Sequence, residues 1–440
     1  MKFQVTALAC VSAATMLAQF NNNLGPGVPT HSASDIGTRG GDPVDLRFYA
    51  DASAIYDTGL QPYAVDSKGN LVVLNGLYGE EATLGAYGVH QWEHAQLGLD
   101  YRGTFRHYSS KSSLDGSDQR LALGYTVQTS KRLFFDMKGT AGTISQGVGA
   151  VTDFGLPVYG LVDRPGLLLF DDRVYFGEGG VSATYLLSAH TSVTAGGEGF
   201  LARYQAPGLV GLNGYSLRGS LQHRLTRRTT VGAMFEHLHF DYPSAFGQSD
   251  INTYEGFWAT QLSKYWTFSL QAGVFQAEVQ GLQQVAVDPV IAALLGVSTT
   301  TQTFYARRIF PAGEARLTRK FHRALLSLSY SQYVTPGNGV YLASRQDSGE
   351  AALSYTGSRK LSFTVSGGEF SYKSVGQNLQ TYIQANGGAG FTYTLARALH
   401  LTARYDLRHQ DIQSLVYNHT SYRATIGLAF SPGPLPLSLW

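Results

Sequence analysis

Charged side chains recur at every second position in several short segments of the sequence. One segment carries Asp100, Arg102 and Arg106, and another carries Arg404, Asp406 and Arg408. Because successive side chains of a β-strand point to opposite faces, this spacing places each set on one face of its strand. Guanidinium groups on a shared face donate hydrogen bonds to carboxylate, phosphate or hydroxyl oxygens. These segments are therefore candidates for a surface that contacts polar or anionic solutes.

The alternate positions of such segments are apolar. In the stretch 260–275, Trp266, Phe268 and Leu270 alternate with polar residues, and Gln271 belongs to the polar set. This period of two is typical of a strand with one apolar and one polar face. Short basic turns that begin with Ser or Thr separate the segments, so an amphipathic hairpin is the repeating unit.

The composition narrows the class of protein. Charged residues make up 15% of the chain and aromatic residues 12%, with 51 Gly and 27 Tyr, against about 25% charged residues in soluble domains. The mean hydropathy is −0.10, and no apolar run beyond the N-terminus has the roughly 20 residues that a membrane-spanning helix needs. A transmembrane β-barrel, apolar outside and polar inside, fits both observations.

The N-terminus predicts export. Residues 1–18, basic at Lys2, then apolar and ending in small residues, indicate a secretory signal peptide, and residues 19–44 a flexible periplasmic lead-in. The single cysteine, Cys10, lies inside the signal peptide, so the mature chain would contain no thiol. A net charge of +2 without a basic patch argues against nucleic acid as a partner.

Residues 45–430 form the predicted barrel, with about eighteen alternating segments. The predicted strands are roughly 46–57, 80–91, 95–108, 118–129, 132–143, 173–188, 191–204, 214–225, 229–241, 252–262, 266–279, 303–318, 323–334, 347–357, 360–372, 381–395, 399–411 and 420–430. Short and long connections alternate along the chain, as in an outer-membrane barrel with short periplasmic turns and long external loops. A β-propeller is the structural alternative, but it gives no reason for this alternation.

The last predicted strand, 421–430, places Tyr422, Ile426 and Phe430 on the lipid side. With the strand pattern as a whole, it resembles bacterial outer-membrane β-barrel proteins, whose final strand ends in an aromatic assembly signal. The resemblance implies an outer-membrane location, contact with outer-membrane lipid and recognition by the barrel-assembly machinery. Such chains typically stop at the aromatic residue, whereas this one continues as a Pro-rich tail, 431–440, ending in Trp440.

The polar face of the barrel would line its interior, the lumen. Closure places the last strand beside the first, so arginines distant in sequence would share one wall. The candidate lumen residues are Arg47, Asp100, Arg102, Arg106, Arg120, Arg404, Asp406, Arg408 and Arg423. The predicted opposite wall is more acidic, with Glu178, Glu198, Glu255 and Glu350. The alternative is that lumen charges pair with one another and stiffen or plug the barrel.

The third long connection, 145–172, is apolar and Gly-rich and resembles the porin loop that folds into the lumen. Its acidic residues would form a constriction opposite the arginines: Asp153, Asp163, Asp171 and Asp172. A cap on the outer rim or on a neighbouring protomer is the alternative, and the sequence leaves the oligomeric state open.

Catalytic and metal motifs are not evident in the sequence. His237 and His239 share a strand face, but no third ligand is implied by spacing. The sequence therefore predicts no enzyme and no cofactor. The preferred interpretation is a porin-like passive channel for small polar or anionic solutes. The alternative is a non-conducting barrel for envelope structure, assembly or surface-polymer export.

Overall fold

The computed structural model describes most of the chain from residue 45 onward. The described ranges are 45–58, 63–65, 71–73, 76–109, 115–145, 173–205, 209–243, 245–286, 299–335, 343–355, 360–376, 381–412 and 417–432. The predicted signal peptide and lead-in, the four aspartates of the constriction loop and Trp440 lie outside the described residues. Within the described ranges, no helix is long and apolar enough to cross a membrane.

The described chain is built of β-strands. The first ten are β1 (Asp45–Asp57), β2 (Tyr63–Val65), β3 (Leu71–Val73), β4 (Leu77–Gln91), β5 (Ala95–Tyr108), β6 (Gly116–Gln128), β7 (Leu133–Ile144), β8 (Val174–Leu186), β9 (Thr191–Tyr204) and β10 (Leu212–Arg224). The remaining strands are β11 (Thr229–Asp241), β12 (Gly247–Gln261), β13 (Trp266–Ala286), β14 (Thr299–Lys320), β15 (Ala324–Thr335), β16 (Ser344–Tyr355), β17 (Leu361–Ser374), β18 (Tyr382–Thr394), β19 (Leu399–Ile412) and β20 (Tyr417–Phe430).

All strands except β2 and β3 belong to one antiparallel sheet of 18 strands, in which each strand pairs with its neighbours in the chain. The sheet closes because β1 pairs with both β4 and β20, with Ala54 opposite Glu80 on one side and Ile426 on the other. The predicted fold class, an antiparallel up-and-down barrel of about 18 strands, is confirmed. Closure leaves the sheet without a continuous free edge.

Several strands extend further than predicted at the ends that lead into long loops. β13 and β14 have 21 and 22 residues, and their outer parts pair with each other up to Ala286 and Thr299. Pairing of β14 with β15 begins only at Gly313, opposite Gln332. β2 and β3 form a separate small hairpin inside a segment that was predicted to be a loop. Strands that pair beyond the membrane do not need an apolar face towards lipid. The alternation of apolar and polar residues that predicts the other strands therefore does not predict these extensions.

The outward face of the barrel is an exposed apolar belt. Large side chains such as Phe48, Leu84, Leu217 and Ile426 are 52–58% exposed although they belong to strands. Exposed aromatic residues flank the belt on both sides. Near the short turns they are Trp92, Tyr185, Trp258, Tyr265 and Phe430. Towards the long loops they are Tyr78, Tyr175, Tyr215, Tyr254 and Tyr422. An apolar band between two aromatic girdles is the lipid-facing surface of an outer-membrane β-barrel.

The short turns repeat one hydrogen-bonding pattern. The hydroxyl oxygens of Ser130, Ser188, Thr226 and Ser263 each accept two backbone N–H groups, from the second and third residues that follow, at 3.0–3.2 Å. This local bond closes the turn and explains the Ser or Thr at its start. The end of the barrel that carries these turns, the short-turn end, faces the periplasm by the general rule for such barrels, and the long-loop end faces outward.

Gly273 on β13 permits a close approach of two strands. A Cβ atom at this position would overlap the carbonyl oxygen of Tyr254 and crowd the Cα of Glu255 on β12. Both obstacles are backbone atoms, so no side-chain rotation relieves them. We expect Gly273→Ala to lower the free energy of unfolding by about 1–3 kcal/mol, the range for overpacked sites. Urea unfolding of the refolded barrel in detergent, followed by Trp fluorescence, measures the change.

Gly219→Ala is the matched control for this prediction. Gly219 also lies inside a strand, on β10, but a Cβ atom there would meet nothing within 4 Å. Its replacement should change stability by no more than about 0.5 kcal/mol. Equal unfolding midpoints for the two variants would contradict the strand approach described at Gly273.

Candidate functional site

The strand registers place the predicted lumen residues on the inward face. Thr83 lies opposite Asp51 on one side and Thr104 on the other, and the same alternation puts Arg102 and Arg106 inward on β5. The remaining inward positions of the predicted set are Arg47, Asp100, Arg120, Arg404, Asp406, Arg408 and Arg423. Their role in a pore stays a prediction.

A polar cleft lies in the lumen where β1, β4 and β5 meet β19 and β20. Its charged lining comprises Asp51, Glu81, Arg102, Arg106, Arg404, Asp406 and Arg423, and hydroxyl groups come from Ser53, Thr83, Thr104, Thr392, Thr402 and Thr425. Closure of the barrel brings together residues from the first and last strands, as the sequence predicted. Of the nine predicted lumen residues, Arg47, Asp100, Arg120 and Arg408 are not part of this cleft.

Glu81 links two arginines in the wall of the cleft. The Nε atom of Arg106 donates to Glu81 Oε2 at 2.7 Å, and Arg423 Nη2 forms an ion pair with the same oxygen. Arg106 Nη2 also pairs with Asp118, which accepts the backbone N–H and the hydroxyl of Ser145 at 2.6 and 2.8 Å. The arginine side chains are only 5% and 3% exposed. This ion-pair network fixes two arginines, one from β5 and one from β20, in one place.

Hydrogen-bond donors exceed acceptors in the cleft. Arg106, Arg423 and Arg404 each retain at least one buried guanidinium nitrogen with no hydrogen-bond partner among the described residues: Arg106 Nη1, Arg423 Nε and Nη1, and Arg404 Nη2. Arg404 Nε donates to Asp406 at 2.8–2.9 Å. These N–H donors lack described acceptors, and the oxygens of a carboxylate, phosphate, carbonyl or hydroxyl group are the acceptors that would satisfy them.

The charges of the cleft are nearly balanced. Four guanidinium groups face three carboxylates in its lining, and Asp118, bound to Arg106, is a fourth carboxylate beside it. The predicted excess of arginine over acid on this wall is therefore offset by acidic residues on the neighbouring strands. What distinguishes the wall is the number of donors, since each guanidinium has five N–H groups and each carboxylate has none.

Two of the four acidic residues predicted opposite the arginines, Glu178 and Glu198, form ion pairs with one lysine. Lys138 Nζ lies 3.2 Å from Glu178 Oε1 and 2.6 Å from Glu198 Oε2, and the three side chains are 7%, 1% and 1% exposed. On the adjacent strands, Arg218 Nη2 lies 3.0 Å from Glu236 Oε1. These contacts are consistent with the alternative that lumen charges pair across strands and stiffen the wall.

Four residues of these networks were missed in the sequence: Glu81, Asp118, Glu236 and Lys138. Glu81 follows Glu80 directly, so alternation alone shows that one of the two acids points inward but not which interaction it makes. Asp118 lies at the predicted start of a strand, and Lys138 lies between the uncharged Met137 and Gly139. Lys138 could have been found from the sequence, because Asp136 and Lys138 are two residues apart and therefore lie on the same polar face of β7.

The inward face is apolar towards the long-loop end of β8–β13. Inward residues of this apolar cluster, among them Phe176, Phe200, Phe240, Ile251 and Phe275, are at most 4% exposed. Burial also raises the pKa of the Tyr242 hydroxyl, which follows β11 in the loop and belongs to the cluster. A uniformly polar lumen, as the alternation predicted, is therefore wrong for this part of the wall, because packed side chains replace water there.

The two histidines on β11 point outward. His239 Nδ1 lies 2.7 Å from Asp250 Oδ1, and His237 Nδ1 lies 3.0 Å from Asn252 Oδ1. Tyr215 packs beside both rings, at centroid distances of 5.2 and 6.1 Å. In the described ranges, no group of three or more His, Cys, Asp and Glu side chains is placed to hold a metal ion.

Comparison with known proteins gives structural likeness only. OccAB1 of Acinetobacter baumannii is 11% identical, with 87% of this chain and 96% of that chain covered and a TM-score of 0.37. OpdQ of Pseudomonas aeruginosa is 10% identical, with 90% of this chain and 98% of that chain covered and a TM-score of 0.40. The outer membrane protein OpdK of P. aeruginosa is 12% identical, with 88% of this chain and 99% of that chain covered and a TM-score of 0.38.

No protein-family model and no curated protein matches the sequence. The TM-scores of the solved structures lie below 0.5, so the architecture of this chain rests on its own strand order and register. The chain is an outer-membrane β-barrel of 18 strands on the strength of its closed sheet and its apolar, aromatic-flanked exterior.

Proposed function

We propose that this protein is a passive channel of the bacterial outer membrane for small polar solutes, with a preference for anions. The observation that carries the proposal is the polar cleft, whose lining contains guanidinium nitrogens of Arg106, Arg404 and Arg423 that are buried and have no described hydrogen-bond partner. Donors held in place by Glu81 and Asp406 are oriented before a solute arrives. A solute that accepts their hydrogen bonds replaces the water lost on entry.

Planar-bilayer recording of the purified, refolded chain tests this proposal. We expect discrete conductance steps and, in a KCl gradient, a reversal potential displaced towards the chloride equilibrium potential. Arg404→Gln should move the reversal potential towards zero or the cation side, because it removes a charge and two or more donors from the cleft. Absence of steps from a correctly folded barrel would refute the channel.

Lys373→Gln is the matched control for the charge dependence. Lys373 lies on the outward face of β17 and is exposed, so its removal deletes one positive charge without altering the cleft. Its reversal potential should equal that of the unmodified protein. If both variants shift the potential equally, the preference reflects net charge and not the cleft.

A non-conducting barrel is the second candidate, and a specific observation favours it. The apolar cluster and the polar residues Tyr382, Gln384 and Gln410 point inward, yet all are nearly inaccessible to solvent. Among these polar residues, Gln410 Nε2 donates a hydrogen bond to Tyr382 Oη at 2.7 Å. A lumen packed in this way serves a structural or assembly role in the envelope. The same recordings separate the candidates, because this one requires a folded barrel that gives no steps.

A further inference from the structure

The short turns form a cationic rim at one end of the barrel. Its basic residues are Lys131, Arg132, Arg224, Arg227, Arg228, Lys264, Arg319, Lys320, Arg323, Lys360 and Arg397. Among the described residues of these turns the one acid is Glu93. The imbalance is local, since the whole chain has a net charge of only +2. A surface so biased attracts an anionic partner.

One sector of the rim holds its cations against aromatic rings. The guanidinium carbon of Arg319 lies 4.8 Å from the ring centre of Trp266 and 4.4 Å from that of Phe321. Lys264 Nζ lies 4.8 Å from the ring centre of Tyr265. The two turns are joined where the backbone N–H of Lys320 donates to the carbonyl of Tyr265 at 2.8 Å. Cation–π contacts of this length stabilise a fixed position of the charge.

No carboxylate among the described residues forms an ion pair with Lys264, Arg319 or Lys320. Their charges are therefore available to a partner from outside the chain. The guanidinium of Arg319 lies over two rings and has no described carboxylate partner, and the N–H groups of a guanidinium match the oxygens of a phosphate group.

The depth of this sector relative to the membrane indicates which kind of anion it contacts. Trp266 begins β13, directly at the lower edge of the apolar belt. Tryptophan at this position lies at the level of the lipid headgroups. Because Arg319 lies opposite Trp266 in the sheet and 4.8 Å from its ring centre, its charge lies at that level too. An extended periplasmic polymer would meet the rim below this level.

We propose that Lys264, Arg319 and Lys320, with Trp266 and Phe321, bind the phosphate group of an anionic phospholipid in the leaflet at the short-turn end. The rings contact the glycerol and upper acyl region, while the three cations contact the phosphate oxygens. The site fixes the depth and tilt of the β13–β14 sector in the membrane. It is independent of whether the lumen conducts.

Lipid titration of the full-length, refolded chain in detergent tests the site. Bound phosphatidylglycerol is counted by native mass spectrometry, with phosphatidylcholine as the uncharged-headgroup comparison. Each cation near an anionic lipid contributes about fivefold in affinity, so Lys264→Gln/Arg319→Gln/Lys320→Gln should weaken phosphatidylglycerol binding on the order of 100-fold. Unchanged heat-modifiable migration on gels confirms that the variant is folded.

Lys131→Gln/Arg132→Gln/Arg397→Gln is the matched control, because it removes three rim cations that have no described ring beneath them. These cations lie on other turns, so they act on the site only through screened long-range attraction, and their loss should weaken phosphatidylglycerol binding by less than about tenfold. Equal losses in the two triple variants would overturn the site in favour of diffuse attraction, and equal binding of phosphatidylcholine would overturn it as well. Cosedimentation with cell-wall sacculi that the first variant abolishes, with phosphatidylglycerol binding unchanged, would assign the sector to a wall polymer instead.

Discussion

Replacing Glu81 by glutamine is expected to lower the free energy of unfolding of the barrel by about 3–5 kcal/mol, the usual cost of removing one partner from a buried ion pair. Glu81 is the only described carboxylate that contacts both Arg106 and Arg423. Its loss leaves two cations close together, with side chains only 5% and 3% exposed. Asp118 still balances Arg106, but Arg423 loses its ion-pair partner.

Urea unfolding in detergent micelles measures this change, and Glu80→Gln provides the control. Glu80 precedes Glu81 on the same strand but points outward and is exposed. Its replacement alters the net charge by the same amount and should shift stability by no more than about 0.5 kcal/mol. A Glu81→Gln barrel as stable as the Glu80→Gln barrel would show that the ion-pair network does not hold the β1–β20 closure together.

The position of Glu81 also links stability to the proposed channel. Strands β4, β5 and β20 meet at this carboxylate, and β1 lies between β4 and β20. The seam between β1 and β20 has only the pairs from Ala50–Phe430 to Asp57–Arg423. An inward ion pair that spans this short seam stabilises closure and at the same time orients the arginines of the cleft.

The barrel could be predicted from the sequence because lipid and lumen impose opposite chemistry on successive residues. Trp266, Phe268 and Leu270 alternate with inward Ser269 and Gln271 throughout the membrane-spanning part of β13. The same rule fails beyond the membrane, where β13 continues to Ala286. There both faces meet water or protein, so alternation no longer reports the strand.

The candidate site could be predicted only in part, because alternation gives the direction of a side chain and not its partner. Parity predicts that Arg106 and Arg423 point inward, and parity is all that one segment supplies. Their partner Glu81 is 25 residues from one and 342 residues from the other. Only the register of a closed sheet brings the three together, and no spacing in one segment contains that information.

The apolar cluster shows a second limit of the pattern. Phe200 and Phe275 occupy inward positions, yet they are apolar and nearly fully buried. In a wide barrel, inward residues meet either water or other protein, and the sequence of one strand does not distinguish the two. The lumen of this protein combines both environments: a polar cleft beside β1, β5 and β19, and a packed apolar layer towards the long-loop end of β8–β13.

Replacing Lys138 by methionine is expected to destabilise the barrel by about 3–5 kcal/mol as well. Lys138 Nζ is shared by Glu178 and Glu198, whose side chains are each 1% exposed. Methionine keeps most of the length and volume of lysine but removes the ammonium group, so two neighbouring carboxylates lose the cation between them. Desolvation and mutual repulsion then act together.

The double variant Lys138→Met/Glu198→Gln tests this explanation directly. If charge imbalance causes the defect, removing one carboxylate should restore part of the lost stability, so the double variant unfolds at higher urea than Lys138→Met alone. A packing defect at position 138 would instead leave the two variants equal, because the amide has the shape of the carboxylate. Lys131→Met, in the exposed turn before the same strand, should behave like the unmodified barrel. The order of the four unfolding midpoints therefore separates a buried charge network from simple filling of the lumen wall.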